Sequence, residues 1–124
     1  MMRLLDTNSC IYVFTGVYPA LIARVADQVA GSLFISSITY CELAYGTMRG
    51  KPPASDALAA FVAEVGVLPF DEAAAQAYAA MPFRRGSFDR LIAAHALSLD
   101  AALVSRKLAD FKDIPGLRVE DWTH

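Results

Sequence analysis

The sequence predicts an α/β fold in three layers, with a central, mostly parallel sheet of about five strands between helices. Two observations predict it. Short apolar runs alternate with segments of helical periodicity along the chain. Those runs are apolar throughout rather than alternating, as strands covered on both faces are. The chain has 124 residues, 56% of them hydrophobic, and a mean hydropathy of +0.37. That is enough apolar material for one well-buried core, so a single domain over residues 1–124 is expected.

The first strand is Arg3-Leu4-Leu5-Asp6, and a short helix over Asn8 to Thr15 ends near Gly16. Pro19 suits a first helical turn, after which Leu21, Ile22, Val25 and Val29 recur on one face. Leu33-Phe34-Ile35 is the second strand, and Ser36 or Ser37 can cap the helix that runs through Leu43 to Gly46 or Gly50. Ser55 or Asp56 opens a further helix with Leu58, Phe61, Val62 and Val65 inward. Gly66 to Phe70 forms the third strand, and Asp71 caps an alanine-rich helix to about Ala80. Ser87 caps the helix Phe88 to Leu99; Ala102-Leu103-Val104 and Leu117-Arg118-Val119 complete the sheet.

A net charge of −2 and a pI of about 5.6 argue against a protein that merely coats nucleic acid, because counterion release needs a basic surface. They leave room for a nucleic-acid enzyme whose acids gather in a metal site. Cys10 and Cys41 form no disulfide framework, and each reads as a small reduced core residue among apolar neighbours. No apolar run approaches the ~18 residues of a membrane span, and no secretion signal is evident, so a cytoplasmic protein is expected.

In a parallel sheet, functional groups collect beyond the carboxyl ends of the strands. Asp6 ends the first strand there. Glu42 follows the second strand, Asp89 opens the helix in GSFDRLIAAHAL, and Asp110 follows the fourth strand. Four such carboxylates repel one another and call for compensation. A hard divalent cation, Mg2+ or Mn2+, supplies it and points to phosphoryl chemistry. Each acid also has a plain structural reading. Asp89 complements a helix dipole, Glu42 is a solvated helical residue, Asp110 caps a turn, and only Asp6, ending a core strand, is costly without a partner. Thr7 and Asn8 either orient the Asp6 carboxylate or cap the helix that follows. Arg84, Arg85, Arg90, Arg106 and Lys107 flank the later acids as a basic rim for a phosphate backbone, or as ordinary surface charge. His95 lies six residues beyond Asp89, off its face, and reads as structural. Asp71, Glu72 and Asp100 read as caps or turn residues, Glu120 and Asp121 as a solvated tail.

Four blocks, LLDTNSCIYVF, SSITYCELAYG, FDRLIAAHAL and AALVSRKLADFKDIPGLRVEDW, in this order and spacing resemble the PIN-domain proteins, and among them the VapC toxins of bacterial toxin–antitoxin pairs. The resemblance covers nearly the whole chain. It implies a small α/β/α fold, a Mg2+- or Mn2+-dependent ribonuclease acting on RNA, a homodimer, and inhibition by a VapB-type antitoxin. It places the family's acids on Asp6, Glu42 and Asp89, with Thr7 and Asn8 as the polar residues beside the first. Two departures stand out. Where relatives commonly carry Thr, then Asn or Arg, then Asn or Asp after the fourth strand, this chain has Ser105-Arg106-Lys107. Asp110, matching the acid of a later Asp-Phe pair, is the expected fourth acid, with Lys107 the alternative occupant. The MPFRRGS stretch before Asp89 is also shorter than in close relatives. An aspartate-nucleophile phosphatase is disfavoured, since Asn8 stands where its second acid belongs. A PIN module kept for protein binding alone is the other rival. The aromatic residues of the short helices, Tyr12, Phe14, Tyr18, Tyr40 and Tyr45, together with Ile11 and Leu43, exceed the needs of one small core and suggest an interface.

Overall fold

The computed structural model describes residues 1–85 and 87–124; Gly86, inside the shortened stretch, lies outside the described residues. The elements run β1 (Arg3–Leu5), α1 (Thr7–Thr15), α2 (Pro19–Ala26), β2 (Leu33–Ser36), α3 (Ser37–Thr47), α4 (Ser55–Val65), β3 (Val67–Leu68), α5 (Glu72–Ala79), α6 (Phe88–Ser98), β4 (Ala102–Val104), a 3-10 turn (Leu108–Phe111) and β5 (Val119–Glu120). The strand order is β3-β2-β1-β4-β5, and all four pairings are parallel.

Period-two alternation along the strands splits the core into two layers. Leu5, Leu33, Ile35 and Val104 pack with Cys10, Leu21, Leu43, Leu58 and Trp122, which covers one face with α1 to α4 and the C-terminal segment. Leu4 and Leu103 pack with Ile92, Ala93 and Ala96 of α6 and with Phe111 and Ile114 on the other face. The result is the α/β/α sandwich that the apolar strands imply.

Local chemistry sets the element ends. The Asp6 carboxylate accepts from the Ser9 N–H and caps α1, and Gly16 closes that helix at φ 72°, where its N–H donates to the Tyr12 carbonyl. Ser36 caps α3 through the Ile38 N–H, and Asp71 caps α5 through the Ala74 N–H. Ser87 precedes α6 without capping it through its hydroxyl, and Ser55 opens α4 as expected, with Ala54 at its N-cap.

The chain grows outward from β1 to β3 on one side, then returns to place β4 on the other side of β1. The reversal falls between β1 and β4, where a parallel sheet opens a crevice at its carboxyl edge. Asp6 and Ser105 leave the two strands at that point. The Asp6 N–H and the Ser9 hydroxyl both donate to the Val104 carbonyl, at 3.1 and 3.2 Å, which ties the crevice walls together.

Three sequence expectations are corrected. Val29 lies beyond the end of α2 and is 77% exposed, because the helix stops at Ala26 before its apolar stripe completes another turn. Cys41 is exposed while Cys10 is buried, since residue 41 falls on the outward side of α3. Glu120 is not a solvated tail: it sits in β5 and accepts from Arg3 Nε and from Trp122 Nε1, each at 2.9 Å. No single described helix is long and apolar enough to cross a membrane.

This packing separates two apolar truncations. Leu103→Ala, at a fully buried strand position, is expected to cost about 3 kcal/mol, within the 2–5 kcal/mol usual for buried leucine. Val29→Ala is expected to stay within about 0.5 kcal/mol. Urea unfolding of the two variants checks the pair.

Candidate active site

Asp6 is 1% exposed at the end of the central strand. Its Oδ1 accepts from the Ser9 N–H at 2.8 Å, while Oδ2 is the one buried side-chain oxygen or nitrogen among the described residues with no hydrogen-bond partner. Burial raises the pKa of this carboxyl, hydrogen bonding from Ser9 and the nearby Ser105 hydroxyl opposes the shift, and the negative charge of Asp89 adds to it.

Glu42 reaches the same crevice from the second turn of α3. The Thr7 hydroxyl donates to its Oε1, and Thr39 lies 3.4 Å from that hydroxyl. Burial raises its pKa as well, countered by the Thr7 hydrogen bond, with Asp89 and Asp6 pushing it up and Lys107 pulling it down. Thr7 therefore orients Glu42 rather than Asp6, whose own partner is Ser9. Asn8 sits half-buried in the first turn of α1.

Asp89 stands in the first turn of α6, and Lys107 Nζ lies 2.7 Å from its Oδ2. That hydrogen bond is the chief cause raising the Lys107 pKa. The next residue, Arg90, is held by the rest of the fold and is no part of a basic rim. Its guanidinium is 5% exposed, donates to both carboxylate oxygens of Asp113 at 2.9 Å, and also reaches the carbonyls of Pro82 at 2.9 Å and Asp110 at 3.2 Å.

Asp6, Glu42 and Asp89 thus converge and act on one another. Asp110 stands to one side. It is exposed and lines, with Arg84, Arg85 and Asp89, a shallow pocket of about 150 Å³. Arg84 is exposed, 3.7 Å from Asp113, and Arg85 is exposed. Arg106 turns the other way and sets its guanidinium 4.9 Å above the Tyr18 ring. His95 is buried and bonds Ser36 through Nδ1 at 2.8 Å; burial lowers its pKa, in keeping with a structural role. A larger cavity of about 340 Å³ lies at the amino end of β2, between Val25, Val29, Leu33 and Glu64, remote from the three acids.

As arranged, no three acidic, histidine or cysteine side chains among the described residues surround a common point closely enough to hold an ion. The donor chemistry nevertheless fits a hard divalent cation. All donors are oxygens, and Asp6 Oδ2 is a buried acceptor with no hydrogen bond of ordinary geometry among the described residues. Sequence reading passed over Ser9, Thr39 and the Arg90–Asp113 pair, and named Ser105 only as part of the departure after the fourth strand. Only Ser9 had a local signal, three residues after a capping aspartate.

Comparison with known proteins places this arrangement. The family model of the PIN domain matches residues 3–117. The chain is 35% identical to the tRNA(fMet)-specific endonuclease VapC of Shigella flexneri over 129 aligned positions, covering 97% of each. The structure of VapBC-1 from nontypeable Haemophilus influenzae matches over 100% of both chains, with a TM-score of 0.82 and 31% identity. DNA-bound VapBC from Salmonella typhimurium matches over 98% of each chain, with a TM-score of 0.81 and 32% identity. The order of the strands, the three converging acids and these full-length likenesses agree: the chain belongs to the PIN domain family.

Proposed function

We propose that this chain is the ribonuclease toxin of a VapBC-type toxin–antitoxin pair: a cytoplasmic endoribonuclease that depends on Mg2+ or Mn2+ and cuts RNA phosphodiester bonds. The observation that carries the reading is the unpartnered, buried Oδ2 of Asp6, facing the crevice into which Glu42 and Asp89 also project. Asp6, Glu42 and Asp89 would hold the cation. When bound, a hard divalent ion makes water a better nucleophile at neutral pH and offsets charge that builds up on phosphate.

The chain's own residues do the positioning. Thr7 fixes the Glu42 carboxylate, and the Ser9 N–H fixes the orientation of Asp6 so that its second oxygen faces the crevice. The Arg90–Asp113 clamp locks the first turn of α6 and thereby the position of Asp89. Arg84 and Arg85, exposed beside Asp89, are placed to meet the phosphates of an RNA strand. Asp110 contributes negative charge from the rim of the same pocket.

The names of the relatives, and the VapB partners of the structural neighbours, support a VapB-type antitoxin as partner, and a homodimer is the working unit we propose with it. Tyr45 on α3 and Met48 at its C-cap are 62% and 82% exposed, as residues that await an interface are.

Asp6→Asn keeps the shape and the cap on α1 but loses the charge. Cleavage is expected to fall by more than the 10–100-fold typical of losing an outer contact, with the circular-dichroism spectrum unchanged. Wild-type activity that survives EDTA, or an Asp6→Asn protein that cuts at the normal rate in Mg2+, refutes the reading.

The raised pKa values of Asp6 and Glu42 fix the sign of a pH effect. The metal-free folded chain binds these protons more tightly than the unfolded chain does. The contribution of these two groups to stability is therefore greatest below the ordinary carboxylate range, and declines as pH rises through that range to the raised folded values, against the opposite contribution of Asp113, Glu120 and Asp121, whose pKa values are lowered. At neutral pH, Asp6→Asn is expected to melt higher than wild type in EDTA, with the gap closing towards pH 4. Thermal melts across pH check this; a lower melting temperature for the variant at pH 7 contradicts it.

A further inference from the structure

We propose that Lys107 is a resident cation of the carboxylate cluster, one that holds the Asp89 carboxylate until a divalent ion displaces it. The inference rests on the metal-site reading above and adds a device that the fold alone does not require.

The turn after β4 aims this side chain. Ser105 is 1% exposed, and its hydroxyl accepts from the Lys107 N–H at 3.0 Å, which tightens the turn. Arg106 is drawn to the opposite side, over Tyr18. Lys107 is left to run inward, where Nζ meets Asp89 Oδ2 at 2.7 Å. The pair is partly sheltered, with side-chain exposures of 37% for Lys107 and 18% for Asp89. Its charge also acts on Glu42 and Asp6, so it is not a surface pair of local effect.

No other basic side chain described near the cluster plays this part. Arg90 is taken up by Asp113, Arg84 lies nearest Asp113, Arg106 stacks on Tyr18, and Arg85 is exposed at the pocket rim with no ion pair to a described acid. Among the described residues, Lys107 is thus the basic side chain that ion-pairs with an acid of the Asp6, Glu42 and Asp89 cluster. A divalent ion that engages both the bare Asp6 Oδ2 and Asp89 must take Asp89 away from the ammonium. Two consequences follow. The metal-free chain tolerates its clustered carboxylates, and the affinity for metal is lower than three unneutralised acids would give.

The test is a titration of Mn2+ alone, followed by calorimetry at fixed pH and ionic strength, on wild type, Lys107→Asn, Lys107→Arg and Asp6→Asn, with melting temperatures measured in EDTA and in Mn2+. Lys107→Asn is expected to bind Mn2+ about tenfold more tightly, as loss of one nearby positive charge implies. It is also expected to melt lower in EDTA and to gain more on adding Mn2+ than wild type does. Lys107→Arg, which keeps the charge, is expected to stay near wild type. Lys107→Gln replaces the asparagine variant should that one not fold. Unchanged or weaker Mn2+ binding in the amide variant overturns the proposal. Asp6→Asn separates the two levels: if it binds Mn2+ as wild type does, the metal site itself is misplaced. If it loses binding while the Lys107 amide variant is unchanged, only the role of Lys107 falls.

Discussion

The rest of the site depends on one buried carboxylate. Asp6 is almost inaccessible at the end of the central strand, where an unpaired charge costs several kcal/mol. The fold offsets part of that cost. Oδ1 accepts the Ser9 N–H and faces the positive end of α1. Oδ2 has no hydrogen bond of ordinary geometry among the described residues, although the Ser105 hydroxyl lies near enough to the carboxylate to lower its pKa. A strand in any other register would not deliver this oxygen to the crevice, since a shift of one residue would bring a different side chain there. The parallel pairing of β1 with β4, and the two donors that meet the Val104 carbonyl, hold that register.

The opposite wall is held by different means. Asp89 is on the first turn of a helix, a place free to fray. Arg90 prevents this by joining that turn to the Pro82 carbonyl on one side and to Asp113 and the Asp110 carbonyl on the other. The segment after β4 thus contributes to the site in two ways. Asp110 touches the clamp through its backbone, which turns its carboxylate outward to the rim. Lys107, three residues earlier, enters the cluster.

Much of this was legible in the sequence. The central strands β1, β2 and β4 could be found because their runs are mostly apolar and covered on both faces, whereas the edge strands were found only in part: β3 is Val67–Leu68 within the expected Gly66 to Phe70, and β5 is Val119–Glu120 where Leu117 to Val119 was expected. Asp6, Glu42 and Asp89 could be found because each follows or opens an element whose carboxyl-edge position is set by chain order. What failed was the prediction of facing. Cys41 has apolar sequence neighbours but points outward, and Val29 continues an apolar stripe whose helix has already ended. Long-range pairs were illegible for another reason. Arg90 with Asp113, and Arg3 with Glu120, are joined by the tertiary fold, and nothing in local spacing distinguishes a buried arginine from a solvated one. Lys107 could be located as a departure, but its partner could be known only once the turn at Ser105 was seen.

The two ion pairs at this edge show why one is fixed and the other exchangeable. Arg90 meets Asp113 with two parallel hydrogen bonds and has further carbonyl partners, so removing Asp113 strands a buried fork of donors and removing Arg90 leaves the Asp113 carboxylate and two carbonyls without their donor. Lys107 meets Asp89 through one hydrogen bond from a flexible stem, and more than a third of its side chain is open to water. An ammonium in that position can move into solvent at little cost. Asp113 therefore belongs to the scaffold and Asp89 to the site, although both acids are paired in the same structure. The distinction comes from donor geometry and exposure rather than from the presence of a salt bridge. It explains how a cluster with a net excess of negative charge is kept together by a contact weak enough to be replaced.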